Sequence, residues 1–207
     1  MNKSIAKIGY APITSTSEAQ YNYGAITYLE SKISGGRKVT AAPKGDSKDI
    51  YADGIVAVSL NKNSGYEIDI ETLSIIDKIE KAWLGCGIME DGSVVELDDG
   101  KELPRMALVI AQERYNAATK YEVDVYYNAI VTSRPNRNGK TAEGSVADPD
   151  FPTYKFTATP RDDNKLIRQT FYVDTLPTTI KTPSAAELAK AFAAESTADS
   201  ASKTSKS

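Results

Sequence analysis

The chain predicts a mainly β fold: a β-sandwich or open barrel with one flanking α-helix and long extended loops. Three observations carry this expectation. Apolar and polar residues alternate at period two in several separate runs. Clusters of Asn, Asp, Gly and Pro fall between those runs, where turns belong. A single stretch, after Ser74, has the three-to-four spacing of an amphipathic helix. The length of 207 residues suits one large domain, or one domain with an appendage, at roughly 150 residues per domain.

Taken in order, Tyr23 to Leu29 is aromatic and β-branched between turn residues and reads as a strand. Ile55 to Leu60 and the strictly alternating Tyr66 to Glu71 flank Asn61-Lys62-Asn63-Ser64-Gly65, which predicts a strand–turn–strand hairpin. Ser74 can cap a helix, with Asp77 three residues on. Ile75, Ile76, Ile79, Ala82 and Trp83 fall near one helix face, and Gly85 and Gly87 end it. Ile79 and Trp83 are expected to pack that helix onto the sheet. Val94-Val95 and Leu97, between Asp91-Gly92 and Asp98-Asp99-Gly100, predict a small hairpin. Met106 to Ile110 and Tyr121 to Ile130 form a second pair, and Tyr154 to Thr159 with Leu166 to Val173 close the fold.

Residues 31–53 and 133–152 are rich in Gly and Pro and are expected as long irregular loops, a type usually tied to function. Residues 1–180 are read as the β domain. Residues 181–207 are an Ala/Ser-rich appendage, with a short helix over Ala185 to Ala194 and a disordered end.

Composition narrows the function. Lys and Arg number 25 against 28 Asp and Glu, a net of −3, which argues against a protein that coats duplex DNA. Histidine is absent, which removes the usual general base near neutral pH, Ser-His and Cys-His pairs, and most transition-metal sites. Cys86 is the one cysteine, so neither an internal disulfide nor a thiolate zinc cluster can form. The expectation is a non-enzyme with no catalytic, cofactor-binding or metal residues. Met1 to Tyr10 has no apolar core of a secretory signal, and no run is long and apolar enough for a membrane helix.

Several motif fragments read as ordinary turns and loops. Asn138-Gly139-Lys140-Thr141 ends like a phosphate-binding loop, but Arg134 stands where the first glycine is needed and no helical pattern follows. Glu90-Asp91 and Asp98-Asp99-Gly100 lack the ligand spacing of an EF-hand, and hairpin-turn chemistry accounts for them. Asp162-Asp163-Asn164-Lys165 is likewise a turn. Tyr10, Tyr21, Tyr23 and Tyr28 are packing residues in strands rather than a sugar platform.

The most informative feature is a pair of acidic stripes. Glu67, Asp69 and Glu71 share one face of their strand, and Glu122 and Asp124 share one face of theirs, with no interspersed Lys or Arg. Like charges on neighbouring strands repel, so a shared acidic face carries a cost that function would justify. The alternative is a solvated face whose counter-charges come from other strands.

Tyr51-Ala52-Asp53-Gly54 before a strand, Asn63-Ser64-Gly65-Tyr66-Glu67 entering the acidic strand, Arg134-Pro135 through Gly139-Lys140-Thr141, and Pro152 to Pro160 together resemble the major tail tube proteins of long, non-contractile phage tails. The resemblance spans most of residues 1–180 and leaves the Ala/Ser-rich end unmatched. It implies a virion structural protein, made in the host cytoplasm, that forms rings of six. The rings stack into a tube through which genome DNA passes unbound. It also implies contacts with the tape measure, tail terminator and distal tail proteins. On that expectation Glu67, Asp69, Glu71, Glu122 and Asp124 line the bore, and a carboxylate wall repels phosphate over about one Debye length, ~8 Å at physiological salt. Lys44, Asp46, Lys48 and Asp49, with Arg134, Arg137 and Lys140, then make inter-ring or inter-subunit contacts. The competing function is a β-sandwich binding or adhesion module of a phage or cell surface. Glycoside hydrolysis by an Asp/Glu pair, which needs no histidine, is the remaining enzymatic option.

Overall fold

A computed structural model describes residues 4–17, 20–52, 55–98, 100–115, 117–137 and 150–192. The fold is mainly β. Its strands are β1 (Ser4–Ser17), β2 (Gln20–Tyr23), β3 (Thr27–Tyr28), β4 (Gly36–Ala52), β5 (Ile55–Thr72), β6 (Gly87–Ile88), β7 (Val94–Val95), β8 (Met106–Glu113), β9 (Tyr121–Ser133), β10 (Thr153–Ala158) and β11 (Arg168–Val173). Helix α1 spans Asp77–Leu84, and a second helix, α2, spans 185–192. Among the described residues no helix is long and apolar enough to cross a membrane.

Nine strands form one antiparallel sheet in the order β2-β1-β8-β9-β10-β5-β4. β3 lies beside β1, and β11 shares an edge of β9 with β10. Tyr121 to Tyr126 of β9 face β11, and Ala129 to Ser133 face β10. The sheet curls until β1 and β4 approach each other, close enough that a Cβ on Gly36 would fall 2.0 Å from the Ile8 side chain.

Both faces of the central strands are buried, which is why Met106 to Ala111 reads as a continuous apolar run rather than an alternation. One core lies against α1. It joins Ile8, Ile68, Ile70, Leu108, Ile110, Tyr126 and Phe156 to Ile79 and Trp83 of the helix. Trp83 is fully buried and meets Tyr154 and Phe156 edge-on, with ring centroids 4.9 and 5.0 Å away. The other core lies on the opposite face. Val109, Val123, Val125 and Tyr127 are covered there by Tyr23, Tyr28, Phe171, Leu176 and Ile180.

Five sequence expectations are corrected. Residues 36–52 are a strand, not part of an irregular loop. Pro43 is tolerated because β4 ends the sheet, with β5 its one ladder partner among the described residues. Residues 55–72 are one continuous strand, so Asn61 to Gly65 does not reverse the chain. Ala52 pairs with Ile55, and the chain turns back between them. The run Tyr23 to Leu29 splits at Gly24, whose N–H binds the Pro12 carbonyl, into β2 and β3. Val94-Val95 pairs upstream with Gly87-Ile88 rather than across Leu97. At α1, Ser74 is not the cap. Its hydroxyl donates to the Ile33 carbonyl, the N-cap is Ile76, and Gly85 ends the helix in the left-handed region at φ 71°. β1 has no counterpart among the sequence expectations, since Pro12 interrupts its pattern.

The turns expected of Asp91-Gly92 and of 162–165 are present. Asp91 accepts hydrogen bonds from the Ser93 hydroxyl and N–H, which hold its carboxyl below the usual range, and Lys165 N–H binds the Arg161 carbonyl. The aromatics pack as expected. Tyr10 meets Trp83 edge-on, and Tyr23 meets Tyr127.

Candidate functional site: an ion-paired sheet face and a protruding ribbon

The alternation of β5 sends Ile68 and Ile70 into the core against α1 and leaves Glu67, Asp69 and Glu71 on the outer face. The flanking strands bring counter-charges to each. Lys44 Nζ donates to Glu67 at 3.2 Å, and Arg37 Nη1 donates to Glu71 at 2.6 Å. Lys155 of β10 stands in register with Asp69, and Lys38 of β4 with Glu71. A shallow groove of about 450 Å³ on this face is lined by Thr40, Glu67, Asp69, Ser133, Lys155 and Thr157, among others. The outer face is therefore a checker of both signs, and the solvated-face alternative describes its pairing.

Glu122 and Asp124 do not join that face. β10 separates β9 from β5. On β9, Val123, Val125 and Tyr127 belong to the far core, so Glu122 and Asp124 project to the same side as Tyr126, toward the core that holds α1. Both are largely covered, at 15% and 14% side-chain exposure. Asp124 accepts from Thr170 Oγ1 at 2.6 Å and lies 3.9 Å from Arg168. Glu122 lies 4.0 Å from Arg114, whose guanidinium stacks over the Tyr172 ring. The expected single acidic wall of five carboxylates is thus two separate ion-paired groups on opposite faces. Its cations come from other strands and from the turn after β8, a signal that one strand's own pattern does not carry.

The basic residues of the later loop are also engaged within the chain. Arg134 pairs with Glu96, and Arg137 pairs with Glu80, a buried carboxylate on α1. Lys140 and the Asn138 to Thr141 stretch lie outside the described residues.

Lys44 marks the start of the second feature. Among the described residues β10 pairs with β5 from Tyr66 to Glu71, and upstream of Tyr66 the ladder has two strands, β4 and β5. At about 3.3 Å per residue, Ile55 to Gly65 extends roughly 30 Å. Asp46, Lys48 and Asp49 lie on this ribbon, in register with Lys62, Leu60 and Ser59; their side chains are outside the description. Toward the tip the residues are apolar, and the register opposes Ile50 to Val58 and Tyr51 to Val56.

The root of the ribbon is built by glycine. The register shifts between Lys44 and Gly45, and Gly65 adopts φ 133°. A Cβ on Gly65 would lie 2.0 Å from the Ala158 carbonyl oxygen, and one on Gly45 would lie 2.5 Å from that of Lys62. The Asn63 carboxamide accepts from Gly65 N–H at 3.1 Å. The turn chemistry of Asn61 to Gly65 thus makes a bulge where the ribbon leaves the sheet.

Compared with known proteins, the chain matches no family model and no curated protein.

Proposed function

We propose that this chain is a structural subunit whose copies close into rings and whose rings stack into a tube, as in the tail of a siphophage, with genome DNA passing through unbound. The observation that carries the reading is the ribbon. It runs roughly 30 Å past the last residue of β5 that β10 covers, and it is two strands wide. A two-stranded hairpin is marginal in water. A ribbon this long with an apolar tip is supported by a partner surface, and in a homopolymer a second copy supplies one at every step. The outer edges of β4 and β11 have no ladder partner among the described residues and support the same reading, because an unpaired edge invites pairing and a closed ring satisfies it. The ring of six, the virion location and the neighbouring tail proteins rest on the sequence resemblance.

In this reading the ribbon reaches the next ring through Asp46, Lys48, Asp49 and its apolar tip, while Lys44 at its root stays paired with Glu67. The outer face with Glu67, Asp69 and Glu71 lines the bore. Each carboxylate there has a cation beside it, so a passing phosphate meets both signs in turn and gathers net affinity from neither.

Negative-stain microscopy of the purified protein across a concentration series tests the assembly. Hollow tubes that appear above a threshold concentration are expected. A monomer that persists at the highest concentration refutes the proposal. A resolved tube with Glu67, Asp69 and Glu71 on its outside refutes the bore assignment alone.

A further inference from the structure

We propose that α2 is a displaceable guard over the root of the ribbon, and that a second copy of this chain adds a strand there when the guard leaves; the identity of that partner rests on the tube reading above. A cleft of about 480 Å³ opens where the ribbon diverges from β11, with Tyr66 and Arg168 on its walls and Leu188, Ala189 and Phe192 of α2 against it. The Arg168 guanidinium sits 5.2 Å from the centre of the Tyr66 ring, bridging the two walls. Two strand edges converge on this cleft with no partner strand among the described residues: β5 upstream of Tyr66, and β11 on the side away from β9. A helix laid at an open edge is a common protection against unwanted strand addition.

The guard is lightly held and its tether firmly held. Upstream, the Tyr28 hydroxyl donates to the Pro177 carbonyl at 2.7 Å, the Tyr127 hydroxyl donates to the Lys181 carbonyl at 2.8 Å, and Leu176 and Ile180 pack on the core. From Ser184 onward the anchoring changes. Ser184 and Glu187 form a reciprocal capping box, which stabilises the helix itself but not its attachment. Leu188 is half-buried, and Phe192 is 73% exposed. Among the described residues of α2, Leu188 is the one partly covered against the cleft. Strand addition at the vacated edges would use main-chain hydrogen bonds, the mode open to any extended segment of a second copy.

The test uses the full chain with Leu188→Glu and Phe192→Glu together, beside Ala186→Glu as a control that adds like charge at an exposed position of α2. Hydrogen exchange of the free subunit is read at the amides of β11 and of Ile55 to Gly65, and polymer growth is followed by light scattering. Faster exchange at both edges with a shortened growth lag, and neither in the control, is the expected result. Unchanged exchange overturns the guard, and faster exchange with an unchanged or lengthened lag overturns its role in assembly. If the wild-type chain forms no polymer at any concentration, the tube reading and the proposed role in assembly fall together, while the exchange arm still decides whether α2 covers these edges.

Discussion

Arg161 is a cation held inside the protein, with a side chain only 4% exposed. Its guanidinium lies 4.7 Å from the centre of the Tyr21 ring and 5.8 Å from those of Tyr23 and Tyr127, and it pairs with Asp163. Burying a charge is costly unless its partner is well placed. Asp163→Ala strands the guanidinium, and the expected loss is about 3–5 kcal/mol of unfolding free energy, measured by urea denaturation. A loss within experimental error would mean the three rings alone hold the cation. Sequence spacing could not reveal this cage, because its members come from β2, β9 and the turn before β11. Tyrosines give a second residue-scale consequence. Burial pushes the phenols of Tyr28 and Tyr126 up to about 12 and raises those of Tyr23, Tyr127 and Tyr154 as well. These groups stay protonated in the folded state while the unfolded chain ionises near 10, about the ordinary tyrosine value. Their stabilising contribution is therefore complete below pH 10 and declines as pH rises from there toward 12. Urea unfolding at intervals between pH 8 and pH 11.5 should show a flat region and then a fall beginning near pH 10; stability that holds level to the end of the range contradicts it.

At the scale of elements, glycine decides where the ribbon departs. Gly65 combines φ 133° with a carbonyl oxygen where its Cβ would stand, whereas Gly92, at φ 82°, has nothing within 4 Å of that position. Gly65→Ala is therefore expected to cost more than about 3 kcal/mol, and Gly92→Ala about 1–2 kcal/mol from backbone conformation alone. Thermal unfolding of the two variants side by side checks this, and equal costs would mean that crowding at Ala158 is relieved by a small shift of β10. The same pair shows what was legible in the sequence. β8, β9 and β10 were readable because their apolar runs face two cores or one core cleanly. β4 was not, since Pro43 and Gly45 are breakers in isolation and become acceptable only on an edge strand with a bulge, which is a fact about neighbours. The helix is legible at its glycine end and not at its start, because Ser74 donates its hydroxyl to the Ile33 carbonyl, a contact across the fold. The acidic column of β5 is legible as a face; which of the two readings of its charge holds is not, because Lys44, Arg37 and Lys155 come to it from other strands.

For the whole molecule, the ribbon is the segment proposed to reach the next ring, and it leaves the sheet at Gly45 and Gly65. The root has a geometry that allows excision, because Gly45 and Asn63 are cross-strand partners and a two-residue loop closes such a pair. Replacing residues 46–62 with Asn-Gly should leave a protein that unfolds cooperatively within a few degrees of the wild-type midpoint. A chain of this size shifts by about 2–4 °C per kcal/mol, and the excised strands carry little stability of their own. In the same sample, polymerisation should vanish at concentrations where the wild-type chain forms tubes, because the longest surface available to the next ring is gone. Loss of folding in this variant would place the ribbon in the folding unit. Tubes of ordinary length grown from it would remove the ribbon from the ring-to-ring contact and leave the free edges of β4 and β11 to account for assembly.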